Sequence, residues 1–514
     1  MTEVLQIAIE QVLAADTLVI ILISAIYGIF VGSIPGLTAT MAVALMVPLT
    51  FFLSDVQAVS AIVTTVTCSI FAGDIPSTLV RIPGTPASAA YASDAYALTL
   101  RGLHAKALKV CLLFSILGGL FGTITLAVAA PQLAAFATQF TSYEYFWLYV
   151  LGLTCAAIVS DDSRLKGALA LFIGLLLSTV GLGTDYSVPR LTFGFDQLIT
   201  GINFIPAMIG LFGMSEVLRN ALVIPQANAI EASATPTSEV TTQPAAADDV
   251  TPGTFRFAFQ RKFSLLRSSV IGSIVGMLPG AGADIAAWIA YAVSKRFSKT
   301  PEEYGKGSLE GIGDATGANN AALGSAWIPA LVFGIPGDSV TAIAIGVLLM
   351  KNITPGPNIF DASEDPAQAA LVFGVYVTFV VANLVLWPLG LLAIRAGGVL
   401  VRIPRRILLP LIVLFCVIGS YALNGSYFDV TVMMAMGVFG FVLERFGVPL
   451  APIVLGLILG GEVEHKFLQC ITKDPSIGAF FSGPITIGLA LICIGLWIGP
   501  VVISALRRTT RLTE

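Results

Sequence analysis

Val31-Gly32-Ser33-Ile34-Pro35-Gly36, a Pro-Gly turn inside apolar sequence, returns as Val275-Gly276-Met277-Leu278-Pro279-Gly280, an offset of 244 residues (Pro35 to Pro279). Each copy is followed by a second broken element. Ile75-Pro76 and Ile82-Pro83-Gly84 match Ile328-Pro329 and Ile335-Pro336-Gly337, an offset of 253 residues (Pro83 to Pro336). A third match, Pro206…Gly210-Leu211…Glu216-Val217 against Pro452…Gly456-Leu457…Glu462-Val463, closes each half. The chain is therefore a duplication whose apolar segments are interrupted at corresponding places.

Of its 514 residues, 56% are hydrophobic and 11% charged, and the mean hydropathy is +0.89. An ordinary soluble domain carries roughly 25% charged residues, so lipid is the expected solvent. Runs such as Val110–Ala130, Ala369–Ala393 and Ile485–Leu506 reach the roughly 20 residues a spanning helix needs. The expected fold is an all-α polytopic membrane protein of about ten to twelve crossings or half-crossings. The acidic residues Glu3, Glu10 and Asp16 argue against a cleavable leader. The expected organisation is an N-terminal membrane repeat (1–224), a polar flexible linker (225–254), a C-terminal membrane repeat (255–465) and an extra spanning segment with tail (466–514). The net charge of −4 says little about partners, since most of the surface meets lipid, and no nucleic acid is expected. No CxxC spacing is present, so the six cysteines are expected to pack as small residues.

Charge placement extends to topology. The second Pro-Gly turn is flanked by Arg256, Arg261, Lys262 and Arg267 before it, and by Lys295, Arg296 and Lys299 after it. The first is flanked by Glu3, Glu10, Asp16 and Asp55, with no Lys or Arg before Arg81. Basic loops stay cytoplasmic. The second segment is therefore expected to enter and leave by the cytoplasmic face as a hairpin, and the first by the opposite face. Facing hairpins make an inverted repeat, the architecture of many secondary transporters.

The breaks are also where a ligand is expected. Proline removes a backbone donor, and glycine admits angles other residues resist. At membrane depth the freed groups need protein, water or a ligand. A helix restarting there aims its N-terminal amides at the break, which suits an anion. Candidate substrate-binding residues are Pro35, Gly36 and Thr38 at the first break, and Gly280 and Gly282 at the second. Ser77, Thr78, Arg81, Pro83, Gly84 and Thr85 on the first Ile-Pro element join them, with Pro336, Gly337, Asp338 and Ser339 on its mate. Asn319 and Asn320, just upstream, either bind a ligand or cap the following helix. Asp74, Asp284, Asn319 and Asp338 are candidate Na⁺ ligands. Arg81 has three readings: a carboxylate clamp, a partner of Asp74, or a cytoplasm-facing charge. Glu216 and Glu462 are expected at the membrane surface. No HExxH or GxSxG pattern is present, so no catalytic residue is expected. A channel for small anions would use similar broken helices and is the alternative.

Val31–Met41, Ile82–Pro86, Ala318–Ala321 (Ala-Asn-Asn-Ala) and Gly334–Thr341 (Gly-Ile-Pro-Gly-Asp-Ser-Val-Thr) together resemble the large membrane subunit of tripartite tricarboxylate transporters. The resemblance runs over essentially the whole chain. It implies a bacterial inner-membrane permease that imports a tri- or dicarboxylate without ATP. Its implied partners are a small membrane subunit and a periplasmic carboxylate-binding protein. It also implies an ion gradient as the drive, with Na⁺ first in line and no other cofactor. A scaffold, a mobile transport domain and elevator-like access fit the same picture, and a homo-oligomer is compatible with it. Thr316-Gly317 stands where the family pattern has Pro-Glu, Arg81 where Asn is common, and Gly73-Asp74 where a Gly-Gly-type pair is usual.

Overall fold

The computed structural model describes all residues except 1, 36, 160–162, 184–187, 222–250, 281, 364–365, 402–404 and 511–514. Gly36 and most of the expected linker therefore lie outside the described residues. The last four linker positions are helical instead, because Thr251-Pro252 is a helix-starting pair and proline suits a first turn.

The first half builds α1 (Thr2–Leu13), α2 (Ala15–Gly32), α3 (Ala39–Thr50), α4 (Asp55–Ala72), α5 (Asp74–Val80), α6 (Ala92–Leu100), α7 (His104–Ala137), α8 (Ser142–Val159), α9 (Arg164–Ser178) and α10 (Phe204–Met208). The second builds α11 (Thr251–Gln260), α12 (Lys262–Gly276), α13 (Gly282–Phe297), α14 (Leu309–Ser325), α15 (Trp327–Phe333), α16 (Ser339–Met350), α17 (Pro366–Leu400), α18 (Arg405–Asn424), α19 (Tyr427–Arg445), α20 (Ala451–Lys473) and α21 (Pro484–Thr510). Among the described residues five helices are long and apolar enough to cross a membrane: α2, α4 continuing into α5, α7, α17 and α19. Shorter apolar helices include α3 and α16, each of which starts at a break. The chain is an all-α polytopic membrane protein, as its composition requires.

Both Pro-Gly segments are hairpins whose ends meet. Asp16, at the start of α2, accepts a hydrogen bond from Gln57 Nε2 in the first turn of α4, which follows α3 (2.8 Å). In the second hairpin Glu310 pairs with Arg261 before α12 (2.6 Å) and accepts from Ser298 Oγ after α13 (2.8 Å). Each hairpin's first arm lies on a long helix through a pair of glycines one turn apart. A Cβ on Gly28 or Gly32 would stand 2.5 Å from Thr65 O or 2.4 Å from Ser69 O of α4. A Cβ on Gly272 or Gly276 would stand 2.2 Å from Ala318 O or 2.4 Å from Ala322 O of α14. Gly28 and Gly272 differ by the same 244 residues as the Pro-Gly turns, and Thr65 and Ala318 by the 253 of the Ile-Pro elements. Small residues at such spacing let backbones approach where no hydrophobic force drives helices together. Helix α7 grips α14 in the same way, with Gly118 against Gly317 O and Gly122 against Ala321 O. Helix α14 is consequently buried from Glu310 to Ser325.

Two compact units result, and each draws on both sequence halves. The larger is Met1–Ala134, Ile205–Leu278 and Gly282–Phe441; it holds the first hairpin, both arms of the second and both Ile-Pro elements. Its core is anchored by Phe71, Phe114, Phe379 and Trp327, whose ring meets Phe379 edge-on at 5.9 Å. Glu216 belongs to this unit. It is 6% exposed, and Arg219 and Asn220 Nδ2 bind its carboxylate within one helical turn. Glu462 is exposed. The smaller unit comprises Ala135–Phe204, Pro279–Ala281 and Val442–Glu514. There Gly174 packs against Ile453 O, Trp147 Nε1 donates to Phe480 O (2.8 Å), and Arg190 holds Glu464 through two parallel bonds (2.8 and 3.0 Å).

Candidate functional site at the helix breaks

The two Ile-Pro elements fold alike, residue by residue, at the 253-residue offset. A short helix (α5, α15) leaves the break and ends in a left-handed residue: Arg81 at φ 59° and Gly334 at φ 68°. The next amide turns back onto the first-turn proline, Ile82 N to Pro76 O (3.4 Å) and Ile335 N to Pro329 O (3.2 Å). The chain then returns to the break. Gly84 N bonds Gly73 O at 3.2 Å, and a Cβ on Gly337 would stand 2.8 Å from Ala326 Cβ. Reciprocal side-chain caps follow. Thr85 and Ser88 each bond the other's backbone amide through their hydroxyls (3.1 and 3.2 Å). Asp338 Oδ1 accepts from Thr341 N (2.7 Å), and Thr341 Oγ1 accepts from Asp338 N (2.9 Å). These boxes satisfy helix-start donors that would otherwise be orphaned.

The caps bring four chain breaks together within the larger unit. Thr40, in the first turn of α3, shares a 2.9 Å hydrogen bond with Ser339 at the start of α16. Its counterpart at the 244-residue offset, Asp284 of α13, accepts from Ala87 N of the first element (3.0 Å). Each hairpin thus touches the Ile-Pro element of the other half. Gly282 N also donates to Gly337 O (3.1 Å), at φ 71° on the glycine. Thr38 caps α3 by accepting from Met41 N (3.2 Å). The starts of α3, α13 and α16 therefore meet at one place, where amide-rich helix ends favour negative charge.

Of the expected residues, Thr38, Gly84, Thr85, Gly282, Asp284, Gly337, Asp338 and Ser339 belong to this meeting point or its immediate turns. Pro35 and Pro336 are buried beside it in sequence. Others stand elsewhere. Gly280, at φ 75°, packs on the backbone of Ala156 in the smaller unit. Ser77 and Thr78 are buried within α5; Ser77 Oγ reaches Ser88 O (3.4 Å), and Thr78 Oγ1 has no partner. Arg81 and Pro83 are exposed at the far end of α5. Asp74 is 2% exposed and accepts from Tyr91 OH (2.5 Å), so of the three readings of Arg81 the pairing with Asp74 is not formed. Asn319 and Asn320 lie inside α14 and not at its start, so neither caps a helix. Asn320 Nδ2 donates to Ser115 Oγ and Thr316 O, both at 3.1 Å. The Oδ1 atoms of Asn319 and Asn320 and Thr316 Oγ1 are buried with no hydrogen-bond partner.

Sequence reasoning did not find Tyr91, Ser88 or Thr341. A signal existed for the last two: Thr85-x-x-Ser88 and Asp338-x-x-Thr341 are capping-box patterns at the constant offset. Nothing local marks Tyr91 as the partner of an aspartate 17 positions earlier.

Residues 18–455 match the family model described as the tripartite tricarboxylate transporter TctA family. The chain belongs to that family. An uncharacterised 52.8 kDa protein from the TAR-I ttuC' 3' region of Agrobacterium vitis is 33% identical over 499 residues, covering 96% of this chain and 95% of that protein. A second uncharacterised protein, from the TAR-II ttuC' 3' region of the same organism, is 37% identical over 237 residues, 45% of this chain and 96% of its own length. No solved structure matches. TctA chains are the large membrane subunits of tripartite tricarboxylate transporters and work with a small membrane subunit and a periplasmic binding protein.

Proposed function

We propose that this TctA chain is the permease of a bacterial inner-membrane importer that accepts a tri- or dicarboxylate from its periplasmic binding protein and moves it inward on a cation gradient. The observation that carries this reading is the meeting of the α3, α13 and α16 starts through Thr40–Ser339, Gly282–Gly337 and Asp284–Ala87. The helix starts gathered there, with the hydroxyls of Thr40 and Ser339 between them, aim the positive ends of their dipoles at one place, which favours a carboxylate without burying a fixed cation.

Na⁺ is the coupling ion assigned here. Among the described residues no group of three His, Cys, Asp or Glu side chains gathers as a metal site. The residues offered for Na⁺ are on α14, where the Oδ1 atoms of Asn319 and Asn320 are buried without a hydrogen-bond partner among the described residues. Neutral carbonyl and hydroxyl oxygens suit a hard monovalent cation. The reciprocal contacts of the halves are those of a two-fold pair, and the acidic closure of one hairpin opposite the basic closure of the other supports an inverted repeat. Access alternates by an elevator-like displacement of the larger unit.

Uptake into proteoliposomes holding this chain and its small subunit tests the reading, with binding protein and labelled carboxylates outside. Saturable uptake of one acid that needs the binding protein and an inward Na⁺ gradient is expected. Non-saturating flux would point to a channel, and Na⁺-independent uptake would remove Na⁺ from the mechanism.

A further inference from the structure

Helix α11 joins the described chain to the second hairpin, and its two faces differ. One face is docked. Ala258 is buried against Val110, Leu113 and Phe114 of α7, Phe257 meets the Phe114 ring at 6.1 Å, and Arg261 just beyond the helix is tied to Glu310. The other face carries Phe259 and, at the start of α12, Phe263, one helical turn apart and 72% and 77% exposed, while Phe255, 49% exposed, packs on Trp387 with ring centres 5.4 Å apart. Exposed basic residues flank them. Lys262 Nζ lies 5.0 Å from the Phe259 ring centre and 5.4 Å from that of Phe263, and Arg256 lies beside Phe255 in sequence. Arg261 and Arg267 are paired with Glu310 and Asp314, whereas Arg256 and Lys262 have no acidic partner among the described residues.

Neither bulk water nor hydrocarbon suits this face. Water would leave the phenyl rings of Phe259 and Phe263 solvated, and hydrocarbon would strip two cations of their hydration. The headgroup boundary accommodates both, with rings turned toward the acyl chains and the lysine stem lying along them. The position agrees: α11 packs on the opening turns of α7, a span that begins with His104, Lys106 and Lys109. We propose that α11 lies flat in the membrane interface and binds anionic phospholipid headgroups through Arg256 and Lys262, with Phe259 and Phe263 inserted below them. The anchor sets the level at which α12 enters the bilayer, and hence the depth of the Pro279-Gly280 break.

The test uses the full chain in vesicles of phosphatidylcholine and phosphatidylglycerol in which one or the other lipid is brominated. Phe259→Trp supplies the reporter, with the spectrum of the parent protein subtracted. Brominated phosphatidylglycerol is expected to quench several-fold more than brominated phosphatidylcholine. Arg256→Gln and Lys262→Gln should each lower that preference roughly fivefold, the worth of one basic residue at an anionic surface. Equal quenching by both lipids would overturn the anionic assignment. Quenching by aqueous iodide and by neither lipid would overturn the interfacial one. Heat stability of the unmodified protein in detergent is a second readout: phosphatidylglycerol should raise it, phosphatidylcholine should not, and the double Gln variant should abolish the difference. Identical responses to the two lipids there would also overturn the proposal.

Discussion

Arg81 occupies a left-handed backbone position that its repeat mate fills with glycine, and its side chain is exposed at the end of α5. A long L-residue is disfavoured there by roughly 1–2 kcal/mol, whereas Asn enters the region more easily. The strain belongs to the backbone and the charge to the side chain. Arg81→Asn separates the two effects. Thermal stability should hold or rise by up to about 1 kcal/mol, while the apparent KM for the carboxylate stays unchanged, since the guanidinium stands away from the meeting point. A raised KM would bring Arg81 into substrate handling. Asp74 illustrates the opposite case, a carboxyl whose partner Tyr91 keeps it inside the core.

At the scale of elements the decisive feature is backbone-to-backbone packing of each hairpin on its long helix. Gly276 has no room, since a Cβ would meet Ala322 O at 2.4 Å. Overpacking a rigid contact costs about 1–3 kcal/mol, and carbonyl oxygens in a fully buried helix cannot step aside. Gly276→Leu is expected to lose at least about 3 kcal/mol, seen as a large fall in melting temperature or loss of monodisperse protein. Gly461, in the interior of α20 with nothing within 4 Å, is the control. Gly461→Ala should be neutral or stabilising by up to about 1 kcal/mol, because alanine is the better helix former. A Gly276 variant as stable as this control would show that the close approach is dispensable.

For the whole molecule, the proposed displacement of the larger unit makes a prediction about exposure of the site to the two sides. A cysteine at Ser339, beside Thr40, should react with a membrane-impermeant maleimide from one face under one ion gradient and from the other when the gradient is reversed. Bound carboxylate should slow both reactions. Labelling from a single face under every condition would exclude alternating access of this site. The closed hairpins, each tied end to end by Asp16–Gln57 or Arg261–Glu310–Ser298, are the elements that would travel with the site.

By itself the sequence determined the membrane class, the duplication and the location of the breaks. Apolar content dictates lipid, and proline and glycine dictate where a helix stops, both through local physics that needs no fold. The hairpins were legible for the same reason, from Pro35 and Pro279 and the charges around them. Partnerships were not. That Asp74 turns to Tyr91 and away from Arg81, that Asn319 and Asn320 are buried midway along α14, and that Asp284 seeks the amide of Ala87 depend on which surfaces meet after packing. Only the tertiary structure decided these, because hydrogen-bond partners across 17 to 299 residues are chosen by the approach of helices and not by neighbours along the chain.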